Sequence, residues 1–66
     1  MTVKPRKTHT LFYGTANKCY IEINPRQRWD LLRIDTKHKV KTISRNGITI
    51  EIDWDVFGLY FEEIAN

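Results

Sequence analysis

The stretch Lys39-Val40-Lys41-Thr42-Ile43-Ser44-Arg45-Asn46-Gly47-Ile48-Thr49-Ile50-Glu51-Ile52-Asp53-Trp54 decides the fold class. Its second half alternates strictly, with Ile48, Ile50 and Ile52 on one side and Thr49, Glu51 and Asp53 on the other. That is the period of a half-buried β-strand. Asn46-Gly47 between two such arms is a strong hairpin signal. Two registers compete. A two-residue Asn46-Gly47 loop pairs Arg45 with Ile48, Ile43 with Ile50 and Lys41 with Ile52, and so brings basic side chains to the isoleucine face, where burying charge is costly. A three-residue Arg45-Asn46-Gly47 loop brings Ser44, Thr42 and Val40 to that face instead. It then pairs Lys41 with Glu51 and Lys39 with Asp53, each pair contributing roughly 0.2–1 kcal/mol. On that balance the three-residue loop is expected, with Gly47 left-handed and Ile43 on the outer face.

Outward from the hairpin, short apolar stretches recur about every ten residues between turn-like breaks. Arg28 to Asp35 carries Trp29, Leu31, Leu32 and Ile34 and ends in Thr36-Lys37-His38. Before it, Asn24-Pro25-Arg26-Gln27 reads as a turn; as an N-cap with Pro at the first helical position it could also open a short helix. Strand is the preferred reading for residues 24–33, with helix as the alternative. Cys19 to Ile23 alternates, setting Cys19, Ile21 and Ile23 against Tyr20 and Glu22, and Thr10 to Tyr13 precedes the break Gly14-Thr15-Ala16-Asn17. Residues 1–8, basic and interrupted by Pro5, read as a flexible arm on a single domain spanning 9–66. On the C-terminal side, Phe57, Tyr60, Phe61 and Ile64 fall at helical spacing behind a possible Asp55 cap. A short C-terminal helix is expected, with a last strand as the fallback. The fold class is thus all-β to α+β: a five-stranded antiparallel meander or small open barrel with a short C-terminal helix.

Sixty-six residues make one domain, close to the size below which a core alone ceases to suffice. Eight aromatic residues supply most of the apolar area, which leaves little room for a deep catalytic pocket. Cys19 is the only cysteine, so no internal disulfide forms. No apolar run follows the charged opening Met1–Lys7, and none approaches the roughly 20 residues of a membrane span. A cytoplasmic protein that does not engage a membrane is expected.

The net charge is only +3, but it is polarised. Residues 1–45 hold all eleven Lys and Arg against three acids, a net +8, whereas residues 46–66 hold five acids and no base, a net −5. Part of this is explained if the two halves pair with each other. Once the hairpin pairs are assigned, nine cations remain, and such an excess points to a polyanionic partner.

Chemistry is harder to find. Cys19, His9 and His38 are scattered without metal-ligand spacing, so no metal or cofactor is expected. Cys19 on an inward strand face reads as a small core residue rather than a nucleophile. Gly14, Gly47 and Gly58 are isolated, so no phosphate-cradling loop is present. The chain is expected not to be an enzyme. The function expected is nucleic-acid binding, in which cations track phosphates and exposed rings stack on bases. Arg26, Arg28, Arg33, Lys37, Lys18, Tyr20 and Trp29 are the candidate contacts, with core packing as the competing reading for Trp29 and Tyr20. The alternative is a protein–protein regulator, inhibitor or assembly subunit, in the size range of viral and mobile-element accessory proteins. It would use the apolar C-terminal segment, with Phe57, Tyr60 and Phe61, together with the outward Ile43, as an interface to a partner or to a second copy.

Overall fold

The computed structural model describes residues 1–13 and 19–64, except for the side chains of Phe12, Tyr13 and Cys19. The expected Gly14–Asn17 turn, the Lys18 contact and the inward Cys19 thiol lie outside what is described. In chain order the elements are β1 (Thr2–Pro5), β2 (His9–Tyr13), β3 (Cys19–Ile23), β4 (Trp29–Asp35), β5 (Val40–Arg45), β6 (Ile48–Asp53), α1 (Trp54–Tyr60) and β7 (Phe61–Glu63). Five strands form an open antiparallel sheet in the order β6-β5-β4-β1-β7, and β2 and β3 make a separate hairpin. The expected β-rich fold with a short C-terminal helix is therefore found. β4, β5 and β6 form a meander, while β1 lies on the far side of β4 and carries β7.

One buried cluster holds the molecule together: Val3, Ile23, Trp29, Ile43, Ile50, Ile52, Phe57 and Phe61. Leu11, Ile21, Leu31, Ile48, Val56 and Tyr60 pack against it. The strands of the large sheet point most of their apolar side chains to one face, which the β2–β3 hairpin and α1 cover; Val40, opposite Asp35 and Asp53, is on the other. The other face carries Lys4, Asp30, Arg33, Thr42, Glu51 and Glu62, and no described element packs over it. Asn24 to Gln27 is a turn rather than a helix start. The Gln27 N–H donates to the Asn24 carbonyl at 3.0 Å, and the Asn24 side chain accepts from the Arg26 N–H at 2.9 Å. Pro at the second position and Asn at the first are what such a turn favours.

The hairpin takes the two-residue loop, contrary to expectation. Arg45 pairs with Ile48, Ile43 with Ile50 and Lys41 with Ile52, and Ile43 is fully buried rather than outward. The anticipated Lys41–Glu51 and Lys39–Asp53 pairs are therefore absent. Magnitudes explain the choice. Burying an isoleucine stabilises by about 1.5–3 kcal/mol, more than the exposed charge pairs would return. The basic side chains also avoid the penalty set against this register. Lys41 lies at the rim of the isoleucine face with its ammonium 4.3 Å from the Phe57 ring centroid, its stem on apolar surface and its charge over the ring. Lys39 has left the strand altogether, at φ 55 in the β4–β5 turn. The loop itself has Asn46 at φ 51 and Gly47 at φ 80, both left-handed, as a two-residue hairpin turn of the primed type requires. An added Cβ at Gly47 would meet nothing within 4 Å. Gly47→Ala is therefore expected to cost only backbone strain, about 1–2 kcal/mol. Thermal melting should show a fall of roughly 4–8 °C for each kcal/mol, and an unchanged midpoint would refute the assignment.

The segment read as a flexible arm contains a strand. β1 pairs with β4 through Thr2–Asp30 and Val3–Trp29, and with β7 through Val3–Glu63, Lys4–Glu62 and Pro5–Phe61. Val3 is fully buried. Pro5 is accommodated for a directional reason. The Arg6 N–H donates to the Tyr60 carbonyl at 2.7 Å, toward β7, so the Pro5 nitrogen faces the β4 side. The β1–β4 pairing has already ended there, at Val3–Trp29, and no ladder donor is missed.

The C-terminal segment is both helix and strand. α1 starts two residues earlier than expected, with Asp53 as its N-cap making no side-chain cap bond and Asp55 in the first turn. Phe57 and Phe61 stack at 5.4 Å within the core.

Candidate nucleic-acid interface

The structure separates the candidate contacts into groups. Arg26 and Arg28 stand in and after the β3–β4 turn. Arg28 is held there by two hydrogen bonds from Nη1, to the Pro25 and Gln27 carbonyls, each 2.9 Å. Two carbonyl acceptors fix the guanidinium and leave its other donors for an anion. Arg33 is on the open sheet face opposite Thr42, and Lys37 lies in the β4–β5 turn. These two groups bracket β4. At ~3.3 Å per residue, Arg28 and Lys37 are roughly 25 Å apart.

A further pair of cations belongs with Arg28. One step beyond the last paired residues, Val3 and Trp29, Lys4 of β1 and Arg28 just before β4 fall at the same end of the sheet. Lys4 and Arg6 share the Glu62 carboxylate, at 3.2 and 3.3 Å, and Arg6 Nε also donates to the Gly58 carbonyl. Counting Lys4 and Arg6 among the unpaired cations is thus corrected: they join the basic N-terminal half to the acidic C-terminal half. A sequence signal for their role was present, since Thr2, Lys4 and Arg6 alternate with Val3 and Pro5.

At the opposite end, Asp35 gathers its neighbours. Its carboxylate accepts from the His38 backbone N–H at 3.0 Å and meets the His38 ring at 2.9 Å. The Arg33 guanidinium lies 3.8 Å away. The backbone N–H first, the His38 ring next and Arg33 last hold this carboxyl below the usual carboxylate range. Arg33 is consequently partly neutralised, which makes it a weaker anion contact than Arg26 or Arg28.

The aromatic candidates divide. Tyr20 is 60% exposed, facing outward with Glu22 as expected. Trp29 is fully buried, edge-on to Phe61 at 6.4 Å, with its indole N–H donating to Gln27 Oε1 at 3.1 Å. It does not reach a base. Its ring fills the centre of the sheet opposite Val3, and a local side chain satisfies its one polar atom, the condition under which tryptophan buries well. The residues of the alternative interface are mostly turned inward as well. Ile43, Phe57 and Phe61 are core residues, and Tyr60 is half-buried and stacked on His9 at 4.1 Å. Of that helix, only Leu59 presents a large exposed apolar side chain.

The open sheet face does not offer a platform for a polyanion. Asp30, Asp35, Glu51, Asp53 and Glu62 outnumber Lys4 and Arg33 there, and no described aromatic side chain projects from it. Positive charge is concentrated at the turns instead. Among the described residues, no group of three or more His, Cys, Asp or Glu comes together as a metal site, and no helix is long and apolar enough to cross a membrane.

Fold and site define a small antiparallel β-protein with an open sheet and cationic turns. No protein-family model matches the chain, and no curated protein or solved structure matches it significantly.

Proposed function

We propose that the protein binds nucleic acid through phosphates, with Arg26 and Arg28 as the principal contacts, Lys4 and Arg6 beside them, and Arg33 and Lys37 as a second, weaker group. The observation that carries this reading is the held guanidinium of Arg28, at the same end of the sheet as Lys4 and Arg6. Among the described residues, Glu62 is the only carboxylate ion-paired in that cluster. Pre-organised cations lose little side-chain entropy on gripping a phosphate. With Trp29 in the core, Tyr20 is the remaining candidate for base stacking. The expected binding is therefore backbone-directed, with weak sequence preference.

Titration of labelled single- and double-stranded oligonucleotides from low to moderate salt tests this. Affinity should fall steeply, with a log–log slope of ~0.7–0.9 for each phosphate neutralised. Arg26→Gln with Arg28→Gln should flatten that slope by about one unit for each phosphate no longer gripped, while the circular-dichroism spectrum stays native. Absence of binding to either oligonucleotide at low salt ends the proposal, and an unchanged slope in the double variant refutes the residue assignment.

A further inference from the structure

β6 is a terminal strand of the five-stranded sheet and, among the described residues, pairs only with β5. The Trp54 N–H donates to the Lys39 carbonyl at 3.0 Å, across that side. By alternation, the amides of Ile48, Ile50 and Ile52 also face β5, and those of Thr49, Glu51 and Asp53 point off the free edge. The side chains of Thr49, Glu51 and Asp53 are all exposed on the open face, and two of them are carboxylates. On the opposite face, Ile50 and Ile52 with Leu11 of β2 and Val56 of α1 line a cleft of about 210 Å³, with Glu51 and Asp53 completing its wall. Free backbone donors, a cleft of mixed polar and apolar lining and a pair of carboxylates thus lie along one edge.

We propose that this edge accepts an extended segment of a partner protein in which basic and apolar residues alternate, added as a further strand beside β6. Main-chain hydrogen bonds to Thr49, Glu51 and Asp53 would supply affinity, and the two faces of β6 would supply specificity. Apolar side chains of the added strand continue the Ile50–Ile52 row into the cleft against Leu11 and Val56. Its basic side chains stand beside Glu51 and Asp53 on the open face. Charged residues on edge strands also serve simply to prevent pairing, but here they flank a cleft with Leu11, Ile50, Ile52 and Val56 in its wall, which a bare guarded edge does not need. A second copy of this chain fits poorly. Its exposed terminal strand β7 carries Glu62 and Glu63, and two β6 edges would bring like carboxylates to the same face. The surface is separate from the phosphate-binding turns, and its test needs no nucleic acid.

The test uses the full chain with a capped peptide of alternating Lys and Val, about six residues long, a typical strand length. Its block isomer, with all Lys before all Val, is the control. The alternating peptide should bind saturably, at least tenfold more tightly than the block isomer, and should slow hydrogen exchange at the Thr49, Glu51 and Asp53 amides. Glu51→Lys with Asp53→Lys should lose that binding at least tenfold and gain binding of an alternating Glu–Val peptide. Both side chains are exposed and Asp53 makes no side-chain cap bond, so the variant keeps the fold. If that variant fails to fold, Glu51→Gln alone should still weaken the Lys–Val peptide relative to the wild-type chain. Equal binding of the two isomers, protection at β7 instead of β6, or no saturable binding at millimolar peptide would each overturn the inference. A chain that binds oligonucleotide but not the alternating peptide overturns this inference and leaves the phosphate reading standing.

Discussion

A chain lacking residues 1–5 is expected to show no cooperative thermal transition. β1 is the only strand joining β4 to β7, so removing it breaks the five-stranded sheet in two places at once. Val3 and Pro5 leave the core, and one side of the site around Trp29 and Phe61 opens to water. Burial of Val3 alone contributes about 1.5–3 kcal/mol. A domain of this length holds a net stability of only roughly 3–10 kcal/mol, and the missing strand pairing adds to the deficit. Calorimetry together with near-ultraviolet circular dichroism reads the outcome directly. A cooperative melt within a few degrees of the intact chain would mean that β1 is dispensable.

Trp29→Ala should unfold most of the population at 37 °C. The side chain is fully buried at the centre of the sheet, and truncating a buried tryptophan costs about 3–5 kcal/mol from lost transfer energy and the cavity left behind. That is comparable with the whole stability of so small a domain. Trp29→Phe provides the graded control. It keeps an aromatic ring for the edge-on contact with Phe61 but gives up the hydrogen bond to Gln27, so about 1 kcal/mol is expected from the bond. Urea denaturation followed by fluorescence of the remaining Trp54 measures both. If Trp29→Ala melted like the wild type, the ring would not be the keystone of the core. Trp29→Phe should also leave oligonucleotide affinity unchanged, because the ring does not contact solvent.

The candidate site was legible as charge and not as geometry. Arg26 and Arg28 were recognisable because they flank an Asn-Pro turn, a local signal that places them at a loop. The distance that separates them from Lys37 depends on β4 being extended, and the company of Lys4 and Arg6 depends on the non-local pairing of Val3 with Trp29. Trp29 shows the ambiguity plainly. An aromatic near arginines has the composition of a stacking platform and of a core residue alike, and only its neighbour across the sheet, Val3, separates the two.

Period-two alternation, the Asn46-Gly47 and Asn24-Pro25 turns and the aromatic content were enough on their own to determine that this chain builds short antiparallel strands around one small core. These features are local: a pleat reverses side-chain direction at each residue, and a left-handed or proline-primed turn depends on its own few residues. Tertiary structure alone decided the hairpin register, the status of β1 and the fate of the C-terminal aromatics. A one-residue slip costs little in local backbone terms but turns every side chain to the other face. The choice therefore fell to groups distant in sequence: the buried site waiting for Ile43, and the Phe57 ring over which Lys41 could lie. In the same way, Thr2–Pro5 is a strand because β4 and β7 leave it an unfilled place between them, and a segment so basic and so short carries no such instruction by itself.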